Sequence, residues 1–109
     1  RARISREWNK FFDQYPLILC PITGDIPFPD LKDLESEESF DLVFDSMLPQ
    51  IAPPYIGLPG ISFATNQTKE KIPLGVQLIS RKYREDLLLN VAYDLEQYYP
   101  KIEAVLPSY

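Results

Sequence analysis

Two apolar runs, separated by one polar loop, constrain this chain more than anything else in it. The first is Gly57-Leu58-Pro59-Gly60-Ile61-Ser62 and the second is Ile72-Pro73-Leu74-Gly75-Val76-Gln77-Leu78-Ile79. Both are short, and Pro and Gly punctuate them, so each reads as a strand, over 61–65 and 74–80. The intervening stretch 66–73 is charged and long for a hairpin turn, so the two strands are expected to pair without the turn itself dictating it. A helical pattern follows over 84–99. Glu85 and Asp86 sit in its first turn, where acids suit the dipole, and Leu88, Val91, Ala92, Leu95, Tyr98 and Tyr99 form the stripe, with Pro100 as the stop.

Upstream, Ile4, Trp8, Phe11, Phe12 and Tyr15 make a second helical stripe over 1–15. Arg1, Arg3 and Arg6 lie where that helix would favour acids. Two readings stay open: a shorter helix capped by Ser5, or a helix that starts upstream of Arg1. Tyr15-Pro16 ends it, because proline disfavours helical geometry in the residue before it. Leu17-Ile18-Leu19-Cys20 reads as a fully buried strand of a parallel or mixed sheet. The span 21–39 is a loop, Pro-rich at first and acidic from Asp30 to Glu38. Phe40 to Leu48 is a predicted helix with Ser39 as N-cap and Pro49 as stop, and 51–60 is read as irregular or a single turn.

Composition then excludes whole classes of function. There is no histidine and one cysteine, Cys20. No Ser-His-Asp or Cys-His arrangement, no Cys/His zinc site and no internal disulfide can be built, which favours a reducing compartment. A net charge of −5 argues against a nucleic-acid partner. The basic groups at Arg1, Arg3 and Arg6 and at Arg81, Lys82 and Arg84 read as solvated or ion-paired. No apolar run approaches the ~20 residues of a membrane span, and no secretory signal opens the sequence. The acidic stretch lacks the alternation and central Gly of a calcium loop. Cys20 has no activating neighbour and reads as an inert thiol, and Asn66-Gln67-Thr68 as a chance match to a glycosylation motif.

Four segments in order resemble the C-terminal part of the amidase signature hydrolases. They are Phe11-Phe12-Asp13-Gln14-Tyr15 leading to Cys20-Pro21, the Gly57 to Ser62 run, the Ile72 to Ile79 run, and Leu88-Leu89 through Glu96-Gln97. The likeness covers most of 7–98. It departs from the family at Pro54, where an Asn is usual, and at Phe63-Ala64, where a Pro is common. The resemblance implies an α/β fold: about three strands of a larger mixed sheet with three flanking helices, the whole of 1–109 being one domain or a fragment of an amidase domain. It also implies hydrolysis of carbon–nitrogen amide bonds by a Ser-Ser-Lys centre without a cofactor, in the cytoplasm.

That centre sits in a Gly/Ser-rich stretch, and this chain has four glycines and only isolated serines: Ser5, Ser36, Ser39, Ser46, Ser62, Ser80 and Ser108. No catalytic role carries over, so the chain by itself is expected to be inactive. The resemblance assigns it part of the pocket wall instead, with Pro21, Ile22, Thr23, Pro53, Tyr55 and Ile56 as candidate lining; ordinary loop packing is the competing reading at each. The expected partner is the remainder of the amidase domain. The alternative function is a stand-alone binding or dimerising module, self-associating through apolar surface. A small carboxylate enzyme has no positive support.

Overall fold

The computed structural model describes residues 2–99, so Arg1, Pro100 as a helix stop and Ser108 lie outside the described residues. Along the chain run α1 (Ala2–Gln14), β1 (Leu17–Pro21), a 3₁₀ turn (Lys32–Leu34), α2 (Glu37–Ser46), α3 (Leu48–Ile56), β2 (Gly60–Gln67), β3 (Pro73–Ser80) and α4 (Glu85–Glu96). The α/β class stands, with three strands and one more helix than expected.

β3 is the centre of a sheet ordered β1-β3-β2, and both neighbours run antiparallel to it. β2 and β3 form the hairpin directly. Each strand runs further into the loop than predicted, and the turn closes through Thr68 N–H to the Ile72 carbonyl (2.9 Å) and Lys71 N–H to the Thr68 carbonyl (3.0 Å). β1 is not the fully buried strand its apolar run suggested. It lies at an edge with one neighbour, so Leu19 stays 60% exposed and Cys20 half-buried.

α4 packs across β2 and β3. Leu78, Leu88 and Ala92 are buried there, with Leu17, Ile61, Phe63, Val91 and Leu95 packed around them. Fully burying a leucine stabilises by about 1.5–3 kcal/mol, so this cluster is the principal apolar contribution. On α1, Phe12 is 4% exposed, yet its stripe-mates Phe11 and Tyr15 are open to solvent at 40% and 57%. Of the five stripe residues only Phe12 is buried. The aromatic rings instead contact one another, Trp8–Phe11 at 5.5 Å and Phe11–Tyr15 at 5.1 Å. The molecule is a slab of 46 × 40 × 22 Å.

Two corrections concern helix ends. α2 is capped by Ser36 and not by Ser39: Ser36 Oγ accepts the Ser39 backbone N–H at 3.1 Å. The cap lies earlier because the acidic Glu37 and Glu38 occupy the first turn and suit its dipole. The stretch 51–60 is not irregular to Gly60, since α3 continues to Ile56 with Pro53 and Pro54 inside it. α2 ends at Ser46, short of the predicted Leu48, and Pro49 lies instead in the first turn of α3, where a missing N–H costs nothing. Gly57 closes α3 at φ 85, and Leu58 N–H reaches the Pro53 carbonyl at 2.9 Å, a Schellman-type end.

Candidate functional site

Loops stay at the rim of a sheet unless something ties them down, and here one amide does so. Proline at position 53 has no N–H to offer the carbonyl four residues back, Pro49. Gln77, the one polar side chain in the middle of β3, fills that gap: its Nε2 donates to the Pro49 carbonyl at 2.9 Å and to the Pro21 carbonyl at 3.1 Å. A single side chain thus ties the end of β1, the start of α3 and the central strand. Sequence reasoning missed it. The available signal was a glutamine inside an apolar strand, together with two prolines in a stretch of helical length.

The tied loop walls a depression of about 530 Å³. Pro21, Ile22 and Thr23 line it, with Asp25, Pro27 and Leu74 among the others. Its backbone is held by Gly24 N–H to the Ser46 carbonyl (2.7 Å), Thr23 Oγ1 to the Asp25 carbonyl (2.7 Å) and Ile26 N–H to Asp25 Oδ1 (2.7 Å). Gly75 forms the floor. A Cβ there would stand 2.9 Å from Ile22 Cδ1 and 3.0 Å from the Phe63 carbonyl oxygen, so only glycine lets Ile22 seat against the strand.

The six candidate lining residues do not converge. Pro21, Ile22 and Thr23 share this depression, whereas Ile56 lines another of about 500 Å³ with Ser5, Asn9, Leu58 and Lys82. Pro53 is half-buried on α3, and Tyr55 is 62% exposed on the same helix.

Around these depressions the described lysine and serine side chains are placed as follows. Lys82 and Ser5 share the second depression, but Lys82 is exposed and its ammonium lies 5.1 Å above the equally open Tyr83 ring. Ser80 is fully buried and its hydroxyl donates to the Pro16 carbonyl at 3.0 Å. Among the described residues no three acidic or cysteine side chains gather to hold a metal, and no helix is long and apolar enough to cross a membrane.

Several charged side chains pair at the surface. Arg81 bonds Asp13 at 2.8 Å, joining α1 to the end of β3, and Arg3 lies 3.8 Å from Glu7. The Arg84 guanidinium grips Asp86 through two bonds of 3.0 and 3.3 Å and holds that carboxyl below its ordinary pKa, while its own is raised by the same bond. Glu38 is also held low, first by its own backbone N–H and then by the Ser36 hydroxyl. These are exposed structural pairs.

Residues 1–89 match the model of the Amidase family. Indoleacetamide hydrolase of Bradyrhizobium diazoefficiens is 35% identical over 94 residues, which is 84% of this chain and 17% of that protein. A glutamyl-tRNA(Gln) amidotransferase subunit of Alkaliphilus metalliredigens is 35% identical over 98 residues, 89% of this chain and 19% of that one. In space the chain is similar to the crystal structure of the corresponding glutamyl-tRNA(Gln) amidotransferase subunit from Thermotoga maritima, with a TM-score of 0.73 at 26% identity, over 94% of this chain and 22% of the other. The structure of 6-aminohexanoate cyclic dimer hydrolase gives 0.66 at 26% identity, over 92% and 23%. The chain spans about a fifth of the length of these relatives.

Proposed function

This chain belongs to the Amidase family, and on that footing we propose that it serves as the C-terminal scaffold of an amide-hydrolysing domain. In this reading it adds three strands to a larger sheet and presents the Pro21–Thr23 loop as one wall of the substrate pocket. The reacting Ser-Ser-Lys groups belong to the remainder of that domain, which is its partner, in the cytoplasm. The observation that carries the reading is the pairing of a family match over residues 1–89 with a surface that seats no serine beside a desolvated lysine among the described residues. Hydrolysis needs an activated nucleophile, and a pocket wall needs only shape and rigidity, which the Gln77 tie supplies.

The test is fragment complementation. The chain alone is incubated with indoleacetamide and with glutamine, and no ammonia release above background is expected. Co-expressed with Bradyrhizobium indoleacetamide hydrolase that lacks its own matched fifth, the chain is expected to restore turnover. Turnover by the chain alone, abolished by a single Ser or Lys substitution within it, would overturn the reading. The second reading, a stand-alone dimerising module, is favoured by one feature: Phe40 and Phe44 stack at 6.0 Å on α2 while both stay about half exposed. A monomer by sedimentation at all concentrations would remove it.

A further inference from the structure

The second depression, of about 500 Å³, lies where three parts of the fold meet. Ala2, Ser5 and Asn9 of α1 line it, with Ile56 and Leu58 at the corner between α3 and β2, and Lys82 in the turn between β3 and α4. Positions 2, 5 and 9 fall on one face of a helix, and here they carry small or polar side chains. No acidic residue is among the described lining, although the chain carries a net charge of −5. Ser5, Asn9, Ile56 and Leu58 are half-buried, so the hollow is sheltered while Lys82 stands open at its rim.

Two polar groups in this lining have no polar partner among the described residues. Arg81 is paired with Asp13 and Arg84 with Asp86, whereas Lys82 between them forms no described ion pair and lies over the Tyr83 ring. The Asn9 amide makes no described hydrogen bond. A half-buried amide is normally bonded, so one left open beside a cation marks a place for an acceptor. The turn that carries Lys82 also holds Tyr83 at φ 66. Left-handed backbone is unfavourable for so bulky a side chain, and such strain gathers at ligand clamps.

We propose that this depression binds a small monocarboxylate with an apolar body. The Lys82 ammonium pairs with the carboxylate, the Asn9 amide donates to it, and Ala2, Ile56 and Leu58 cover the apolar part. One cation matches one negative charge, whereas a phosphate group near charge −2 would be left half compensated. The volume falls within the ~300–1,000 Å³ of small-molecule sites and is more than a bare acetate fills. An amide and water give a carboxylate and ammonium, so the acid released by the hydrolysis proposed above is the source of the ligand. The source rests on that amidase reading; the binding does not.

The test titrates the full chain with phenylacetate, phenylacetamide, acetate and inorganic phosphate, and follows backbone amide NMR shifts. Phenylacetate should give saturable shifts concentrated at Ser5, Asn9, Leu58 and Lys82. Phenylacetamide keeps the shape without the charge and should bind about tenfold more weakly or worse, and acetate, which lacks the body, about fivefold more weakly. Lys82→Met keeps an apolar stem without the ammonium and should weaken phenylacetate about tenfold or more; Asn9→Ala should weaken it about threefold or more. Lys69→Met removes the same charge from the exposed β2–β3 turn and should change binding by less than about twofold. Circular dichroism of each variant checks that the fold is kept.

Shifts that do not saturate, that scatter over the surface, or that respond equally to Lys69→Met and Lys82→Met overturn the site. Phosphate that binds more tightly than phenylacetate at the same residues overturns the carboxylate class, and phenylacetamide that binds equally well overturns the role of charge. The same titration is repeated on the chain complemented with the truncated Bradyrhizobium hydrolase. Restored turnover without phenylacetate shifts at these residues removes the site and leaves the scaffold reading standing. Saturable, Lys82-dependent binding in a chain that never restores turnover supports the site and removes the hydrolytic source.

Discussion

Gln77→Leu keeps the side chain near its size and removes the donor that the Pro49 carbonyl has in place of a Pro53 N–H. The Pro49 bond is part-buried and the Pro21 bond exposed, so water replaces the second and cannot fully replace the first. Leaving a buried carbonyl without a partner costs about 1–3 kcal/mol, and that range sets the loss of stability expected for Gln77→Leu. A double-mutant cycle isolates the cause. Pro53→Ala supplies a backbone N–H at the position that can reach the Pro49 carbonyl within the helix. In that background Gln77 becomes redundant, and Gln77→Leu should then cost no more than about 0.5 kcal/mol, a coupling of about 0.5–3 kcal/mol. The assay is urea denaturation at 25 °C, followed by Trp8 fluorescence and far-ultraviolet circular dichroism in parallel. Equal cost of Gln77→Leu in both backgrounds refutes the idea that the glutamine stands in for the missing amide.

Gly75→Ala places a methyl 2.9 Å from Ile22 Cδ1 and 3.0 Å from the Phe63 carbonyl oxygen, and should destabilise by about 1–3 kcal/mol. Adding Ile22→Val removes the first clash but not the second, so thermal melting should show partial recovery, and strict additivity of the two would refute the contact. The pH response follows from the first turns of α2 and α4. Glu38 and Asp86 both have folded pKa values below their ordinary ones, so their stabilisation is present above the ordinary carboxylate range and is lost as pH falls through the lower folded values. Carboxyl-carbon NMR titration should place both midpoints low. Ser36→Ala should raise the Glu38 midpoint only part of the way, because its own backbone N–H is the larger cause.

Much of the fold was legible because its signals are local. Pro16 ends α1 in sequence as in space, the Ile4/Trp8/Phe12 spacing gives a helix, and the Pro/Gly-bounded runs give β2 and β3 within a residue or two. The misplaced Ser39 cap arose because Ser36 and Ser39 are both good caps by type, and only the acids between them decide. α3 was missed because Pro53-Pro54 argues against a helix by propensity, and a side chain from another element removes the objection. Within the candidate site, Pro21, Ile22 and Thr23 came together because they are consecutive, whereas Ile56 and Tyr55 went elsewhere because a helix, unlike the loop expected there, distributes its residues around an axis.

What the sequence by itself determined is the set of elements, the absence of histidine chemistry and the family to which the pattern belongs. Propensity, capping and breaking act over a few residues, and so they can be read along the chain. The tertiary structure alone decided that β3 is central, with β1 and β2 at its two sides, and that Gln77 and Ser80 hold the framework. Those depend on bonds between residues 28, 56 and 64 positions apart, and chain-local preferences carry no information about which distant carbonyl a given donor will meet.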